Sequence, residues 1–556
     1  MTRAVAGALV ALALTAGLAL RTARLTERPM HHDEANQAVK FAALLERGDY
    51  RYDARDHHGP TLYYLTLPSA WLRGQHTLAL LDEATLRGVP VVFGAATILL
   101  LPLLSAGIGR TAVVTAALLM ALSPAMVFYS RMYIQEALFA CFALAFVIGV
   151  GRVATGGGFA WAAMTGVAAG LAMATKETAA IVVPSAVAAA AIAWWSVGAG
   201  RPPNALIGRH LRRATLVGLA AAAGVVALFY SSFFSAPAAL LELFRAAGTY
   251  LDRGIDPSSH IQPWHYYLQL LTYSASGGLR WSEGLVLALA VVGTIAAWQR
   301  SDGSSSSSSF WPRYLAGYVV IAGAIFSTIP YKTPWNLLPF YAGAFALAGV
   351  GFATLVSKER SRLVRVLVAG ALAAGSVHLG WQAWRAAITY AADPRNPYVY
   401  AQTVPDAVRM AARIRHLSAI HPDGERMQVS VIAPASEQWP LPWYLRGMPN
   451  VGYWTAPGDV LALQAPVIVS SLEHAPALEQ ALGDRYVSEY FGLRPELLLA
   501  VYIDRGLWDR FLATVRPGSE DPGPTRQPSA RPTRQLSAVR GAPVFRPGRT
   551  AAERVP

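Results

Sequence analysis

The chain has 556 residues, of which 54% are hydrophobic and only 14% charged, against about 25% charged residues in an ordinary soluble domain. That composition, with a mean hydropathy of +0.34, excludes a soluble globular protein and points to a polytopic membrane protein. The net charge of +14 does not call for nucleic acid, because the arginines sit in loops between apolar runs and in the tail, where topology and lipid headgroups explain them.

Apolar runs of membrane-crossing length recur from the N-terminus onward. The first, near 5–20, lacks a cleavage pattern, since "RTARLTERP" follows it directly, and reads as a retained helix that also directs insertion. Ten more follow, near 86–104, 111–128, 136–151, 160–174, 178–197, 214–234, 283–298, 314–329, 336–356 and 366–388. The expected fold is therefore mainly α, a helical membrane bundle with about eleven spans over residues 1–389. Cys141 is the one cysteine, so no intrachain disulfide forms.

The connections alternate in character. One set carries Arg110, Arg152, Arg201, Arg209, Arg212, Arg213, Arg300, Arg313, Lys358, Arg360, Arg362 and Arg365, which the positive-inside rule assigns to the cytoplasm. The other set, "MHHDEAN", "YSRMYIQE", "ATKET" and "YKTPWN", then falls on the extracytoplasmic side. Within the first of these loops, "DEANQAVKFAALLERG" puts Ala35, Ala38, Ala42 and Leu45 on one face, as in a helix lying along the membrane surface. In "GDYRYDARDHHGPTLYYL", Gly59-Pro60 marks a turn. The run "SDGSSSSSS" at 301–309 reads as a flexible linker. Residues 390–515 alternate short apolar runs with helix-like and turn-rich stretches, as in a small extracytoplasmic α/β domain. The tail, 516–556, is rich in Pro, Ser and Arg and is expected to be disordered.

Ionisable groups at membrane level are functional candidates. Asp33 and Glu34 follow His31 and His32; as a pair they cap a helix, supply a general base or ligate a metal. Asp56 and His58 recur in the same loop. Arg131 and Glu136 flank another connection, Lys176 and Glu177 interrupt about forty apolar residues, and Lys332 lies between prolines beside Tyr331 and Trp335. Carboxylates, imidazoles and cations at one membrane face suit a sugar carried on a polyprenyl phosphate. The leaving phosphate needs cations, the acceptor needs a base, and the lipid tail needs an apolar groove.

The motifs "HHDEA", "DHHGPTLYYL", "LSPAMVFYSRMYIQEALF" and "GLAMATKETAAIVVP" resemble, in that order, those of the GT-C superfamily of membrane glycosyltransferases. The resemblance lies in the branch of the protein O-mannosyltransferases and the lipid A aminoarabinose transferase. "YKTPWNLLPF" and "WPLPWYLR" are similar to a narrower group, the flippase-activity-associated glycosylation proteins. It implies a glycosyltransferase that uses a polyprenyl-phosphate sugar, with inversion and with a protein, lipid or glycan acceptor. Asp33 takes the place of the catalytic base with Glu34 beside it, Glu136 holds the second acidic position, and Arg131 and Lys176 contact the donor phosphate. Lys332 is a further candidate for that contact, and His32, Asp56, His58, Tyr331 and Trp335 are further site candidates. A divalent metal on Asp33, Glu34 and His58 is an alternative, because relatives differ on this. Gly59 stands where the family has proline, and Glu177 where it has glycine. Two rival expectations are a lipid-linked sugar flippase and a non-catalytic component of a glycan assembly system. An intramembrane metalloprotease is excluded by the lack of H-E-x-x-H.

Overall fold

The computed structural model describes residues 1–514 except 49, 54–57, 198–204, 244, 246–247, 249–259, 300–305, 358–359 and 459–461. Asp56 and the expected disordered tail at 516–556 therefore lie outside the described residues.

Long apolar runs with neither charges nor interior turn residues can satisfy their backbone only as helices in lipid. Among the described residues, seven helical stretches are long and apolar enough to cross a membrane: Arg3–Thr22, Glu83–Ile108, Glu136–Ala154, Ala179–Val197, Leu211–Tyr230, Pro334–Leu355 and Arg362–Thr389. Arg110–Leu122, Phe159–Met173 and Gly284–Gln299 are shorter apolar helices. Each of the eleven expected spans falls on a helix, the remaining one on Ser306–Thr328. The serine run differs from expectation, since Ser306–Ser309 form the first turn of that helix and residues 301–305 lie outside the described part.

Pro334–Leu355 is the axis of the bundle, 89% buried. Its glycines let neighbours approach to backbone contact: a Cβ on Gly349 would lie 2.0 Å from the Ala112 carbonyl oxygen. Leu338–Leu355 accordingly packs against both Arg110–Leu122 and Gly284–Gln299.

A five-stranded sheet follows, built from β3 (Val429–Ile432), β4 (Val451–Trp454), β5 (Val467–Ser471), β6 (Tyr486–Arg494) and β7 (Leu497–Asp504); β1 (Ser274–Ser276) and β2 (Leu279–Trp281) form a separate hairpin. The spatial order is β4-β3-β5-β7-β6. β3 runs parallel to β4 and β5, whereas β7 is antiparallel to β5 and β6. Alternation along the strands covers both faces. Val467, Val469 and Val501 meet Met410 and Ile414 of Pro405–Ile420 on one side, and Ile468 and Ala500 meet Leu478 of Ala475–Leu482 on the other.

The sheet is fastened to the membrane part through the first loop. Trp443 Nε1 donates to Glu83 Oε1 at 2.9 Å, Met30 N donates to the Tyr444 hydroxyl at 2.7 Å, and Arg446 donates to the Leu81 carbonyl at 2.8 Å. The connecting segment 396–404 adds a second tie, described with the site below.

Candidate functional site

The site begins with the helix His32–Arg47. His31 is its N-cap: its Nδ1 accepts from Asp33 N at 3.0 Å, and the Glu34 side chain reaches back to His31 N at 3.0 Å, a complete capping box. The expected apolar face forms, with Ala35, Ala38 and Ala42 buried.

Asp33 and Glu34 are adjacent but have opposite environments, because consecutive helical positions point about 100° apart. Asp33 is 42% exposed, 3.6 Å from His31 Nδ1. Glu34 is fully buried among cations: Arg87 Nε and Nη2 donate at 2.8 and 2.9 Å, Arg28 at 3.2 Å, and Tyr133 N at 2.9 Å. Burial alone would raise the Glu34 pKa, but Arg87 and Arg28 outweigh it and hold the carboxyl at about 2. With both oxygens saturated, Glu34 is not available as a base or a metal ligand. Among the described residues no group of three His, Cys, Asp or Glu side chains is placed to hold a metal. The set Asp33, Glu34 and His58 does not fit a divalent ion, since two guanidinium groups already occupy the Glu34 carboxylate.

Arg131 likewise faces the protein. Its Nη1 donates to the Leu20 and Arg21 carbonyls at 2.9 Å and its Nη2 to Arg24 at 3.2 Å. These carbonyls end the first helix, where unpaired acceptors attract cations. Lys332 is buried, with Nζ donating to the carbonyls of Gln262 at 2.9 Å and Ile329 at 2.5 Å. Both cations are thus taken up by backbone carbonyls.

Lys176 sits in the turn before Ala179–Val197, and its Nζ donates to Glu136 Oε1 at 2.5 Å and Asn336 Oδ1 at 2.9 Å. Glu136 opens the helix Glu136–Ala154. Asn336 comes from the Pro334–Leu337 turn at the head of the central helix. Glu136, Phe139, Lys176, Thr178, Trp335, Asn336 and Pro339 line a tightly packed, narrow crevice. Glu177 pairs elsewhere: its Oε2 meets His58 Nδ1 at 3.0 Å. Burial raises the Glu177 pKa but His58 outweighs it, so the carboxyl lies below its ordinary value. Gly59 makes this possible. A Cβ there would fall 2.1 Å from the Ala174 carbonyl oxygen, the group that accepts from Thr61 N at 3.2 Å.

Trp335 joins the two halves. It lines the crevice, and its ring meets that of His31 edge-on, with centroids 6.0 Å apart. Tyr400 packs on Trp335 at 5.7 Å, its carbonyl lies 2.9 Å from His31 Nε2, and its hydroxyl hydrogen-bonds to His260. The His260 ring also meets that of Tyr331 at 5.0 Å. The 396–404 segment that carries Tyr400 is anchored by Tyr398, whose hydroxyl donates to Glu283 Oε1 at 2.8 Å, and by Gln402, which donates to the Pro29 carbonyl at 2.9 Å. Glu283 is fully buried and also receives Ser123 Oγ, Ala125 N and the Tyr341 hydroxyl.

Sequence reasoning missed Arg87, Asn336 and Glu283. Arg87 and Glu283 each lay at the edge of an expected span, where a charge in an apolar run is itself a signal.

No protein-family model matches the chain, and comparison with curated proteins gives no match. Solved structures do match. ArnT from Cupriavidus metallidurans bound to undecaprenyl phosphate aligns with a TM-score of 0.59 and 14% identity, over 91% of this chain and 99% of that one. The archaeal oligosaccharyltransferase AglB from Archaeoglobus fulgidus, in complex with an inhibitory peptide and a dolichol-phosphate, aligns with a TM-score of 0.56 and 13% identity, over 88% and 74%. A helical membrane bundle with a small C-terminal mixed sheet thus has the GT-C type of fold.

Proposed function

We propose that the protein is an integral membrane glycosyltransferase that moves a sugar from a polyprenyl-phosphate donor to an acceptor on the extracytoplasmic face, with inversion. The observation that carries this reading is the pairing of two unlike sites across Trp335: a solvent-facing carboxylate, Asp33, and a crevice whose one cation is held by a carboxylate and an amide. The fold shared with ArnT and AglB supports it, since those structures hold undecaprenyl phosphate and dolichol-phosphate.

In this reading the donor phosphate enters beside Lys176 and Asn336, and Glu136 gives up its hold on the ammonium as the phosphate takes it. Asp33 accepts the proton of the acceptor hydroxyl or amide as that atom bonds to the anomeric carbon. The bond from that carbon to the phosphate oxygen breaks, and the polyprenyl phosphate leaves with the electron pair, its charge met by Lys176. A single displacement from the face opposite the phosphate inverts the anomeric centre. His31 orients Asp33 by capping its helix. Glu34 and Arg131 act as scaffold, with their charges consumed inside the protein.

Asp33→Asn keeps the shape and removes the base. The expected outcome is loss of sugar transfer from a polyprenyl-phosphate sugar by about 10²-fold or more, with unchanged expression and stability shifted by no more than about 1 kcal/mol. Full transfer by that variant removes Asp33 from the mechanism.

A further inference from the structure

The stretch 439–446, WPLPWYLR, is used almost entirely for docking. Trp443, Tyr444 and Arg446 make the ties to the first loop described above, and Leu441 is fully buried in the sheet's core. Trp439 differs. It is only partly buried, and its indole faces the His32 imidazole with ring centroids 6.0 Å apart. Arg494, at the end of β6, donates to the Ser436 carbonyl. Its Nε is buried without a partner, and its guanidinium interacts electrostatically with Glu437 and Asp33. Burial lowers the His32 pKa to about 4, so its ring is neutral at physiological pH.

The carboxylate assigned above as the base therefore interacts both with Arg494 of the sheet and with His32 of its own helix. The Trp439 indole lies against that imidazole, and Glu437 interacts with the same guanidinium. We propose that this cluster is the acceptor subsite and that its occupant is a neutral saccharide, an inference that rests on the transferase reading. The indole offers a flat apolar face for the C–H face of a sugar ring. Arg494, Glu437 and Asp33 are planar groups suited to paired hydrogen bonds with neighbouring hydroxyls. Charge sets the selectivity: Asp33 and Glu437 oppose the single guanidinium of Arg494, which disfavours an anionic acceptor.

The test uses the full-length protein in nanodiscs, fluorescently labelled and applied to an array of neutral oligosaccharides, uronic-acid oligosaccharides and Ser/Thr peptides. Binding is expected on neutral oligosaccharides, weakened about tenfold or more by Trp439→Ala, as for lost stacking and apolar contact. Trp439→Tyr retains most of it. Arg494→Gln weakens neutral binding too, whereas Arg494→Lys restores part of it. Thermal unfolding of each variant separates a lost contact from a lost fold, and a variant that unfolds is replaced by its conservative partner. Binding only to peptides, only to uronic acids, or to no array member overturns the proposal, as does neutral binding that Trp439→Ala leaves intact. Sugar transfer from a panel of polyprenyl-phosphate donors to the oligosaccharides that bind is measured separately. Its absence with every donor refutes the transferase reading while the array result stands by itself.

Discussion

Glu34→Gln tests the division of labour between the two adjacent carboxylates. Glu34 is fully buried, and it accepts two hydrogen bonds from Arg87, one from Arg28 and one each from His31 N and Tyr133 N. Glutamine preserves the volume but removes the negative charge and replaces one acceptor oxygen with an NH₂ group. That NH₂ faces donors whichever way the amide is turned. Two buried guanidinium groups are left without a counter-charge, and breaking a buried ion pair from one side costs about 3–5 kcal/mol. The entropy of unfolding is about 2.1 cal/mol/K per residue, or about 1 kcal/mol/K for roughly 500 ordered residues, so the apparent Tm is expected to fall by about 3–5 °C. Differential scanning fluorimetry in nanodiscs at neutral pH reads this directly. Asp33→Asn is the control. It is 42% exposed and is expected to shift stability by no more than about 1 kcal/mol, the size of a lost helix-dipole interaction. Equal Tm values for wild type and Glu34→Gln would refute the reasoning. So would a Glu34→Gln protein that is fully stable yet inactive, since the residue would then be chemical rather than architectural.

The same cluster predicts a pH dependence. The folded Glu34 pKa is depressed from 4.5 to about 2, so its stabilisation is complete above the unfolded value and is lost as pH falls through the folded one. The Tm gap between wild type and Glu34→Gln should therefore narrow steadily between those two values, and a gap independent of pH there counts against the ion cluster. Gly59→Val places a Cβ 2.1 Å from a backbone oxygen that cannot yield. It is expected to cost about 1–3 kcal/mol as an overpacked site, and to reduce sugar transfer by parting His58 from Glu177. A Gly59→Val protein with wild-type Tm and transfer rate would show that the two loops need not touch.

Much of the fold was legible because lipid imposes one rule on the backbone: long apolar runs must be helices. Residues such as 136–151 and 336–356 lie on Glu136–Ala154 and Leu338–Leu355. The sheet was legible in the short apolar runs of residues 390–515, since β3 and β5 are fully covered and rich in valine and isoleucine. The partners of the charges were not legible. Lys176 and Glu177 are neighbours in sequence yet bond to Glu136 and His58, because adjacent residues in a turn point apart. The resemblance implied a phosphate contact for Arg131, and its sequence context does not reveal that the end of the first helix, more than a hundred residues away, accepts its hydrogen bonds. The resemblance placed Asp33 ahead of Glu34 as the base, but the reason Glu34 is held inside the protein, Arg87 and Arg28 on its side only, was not legible.

The segment 396–404 has a mechanical consequence. One stretch of chain grips the buried Glu283 carboxylate through Tyr398, touches the N-cap imidazole of the Asp33 helix through the Tyr400 carbonyl, and then enters the helix that backs the sheet. A tilt of the sheet relative to the bundle cannot leave that imidazole where it is. The orientation of Asp33 is thus geared to the posture of a module whose strands begin about thirty residues further along the chain.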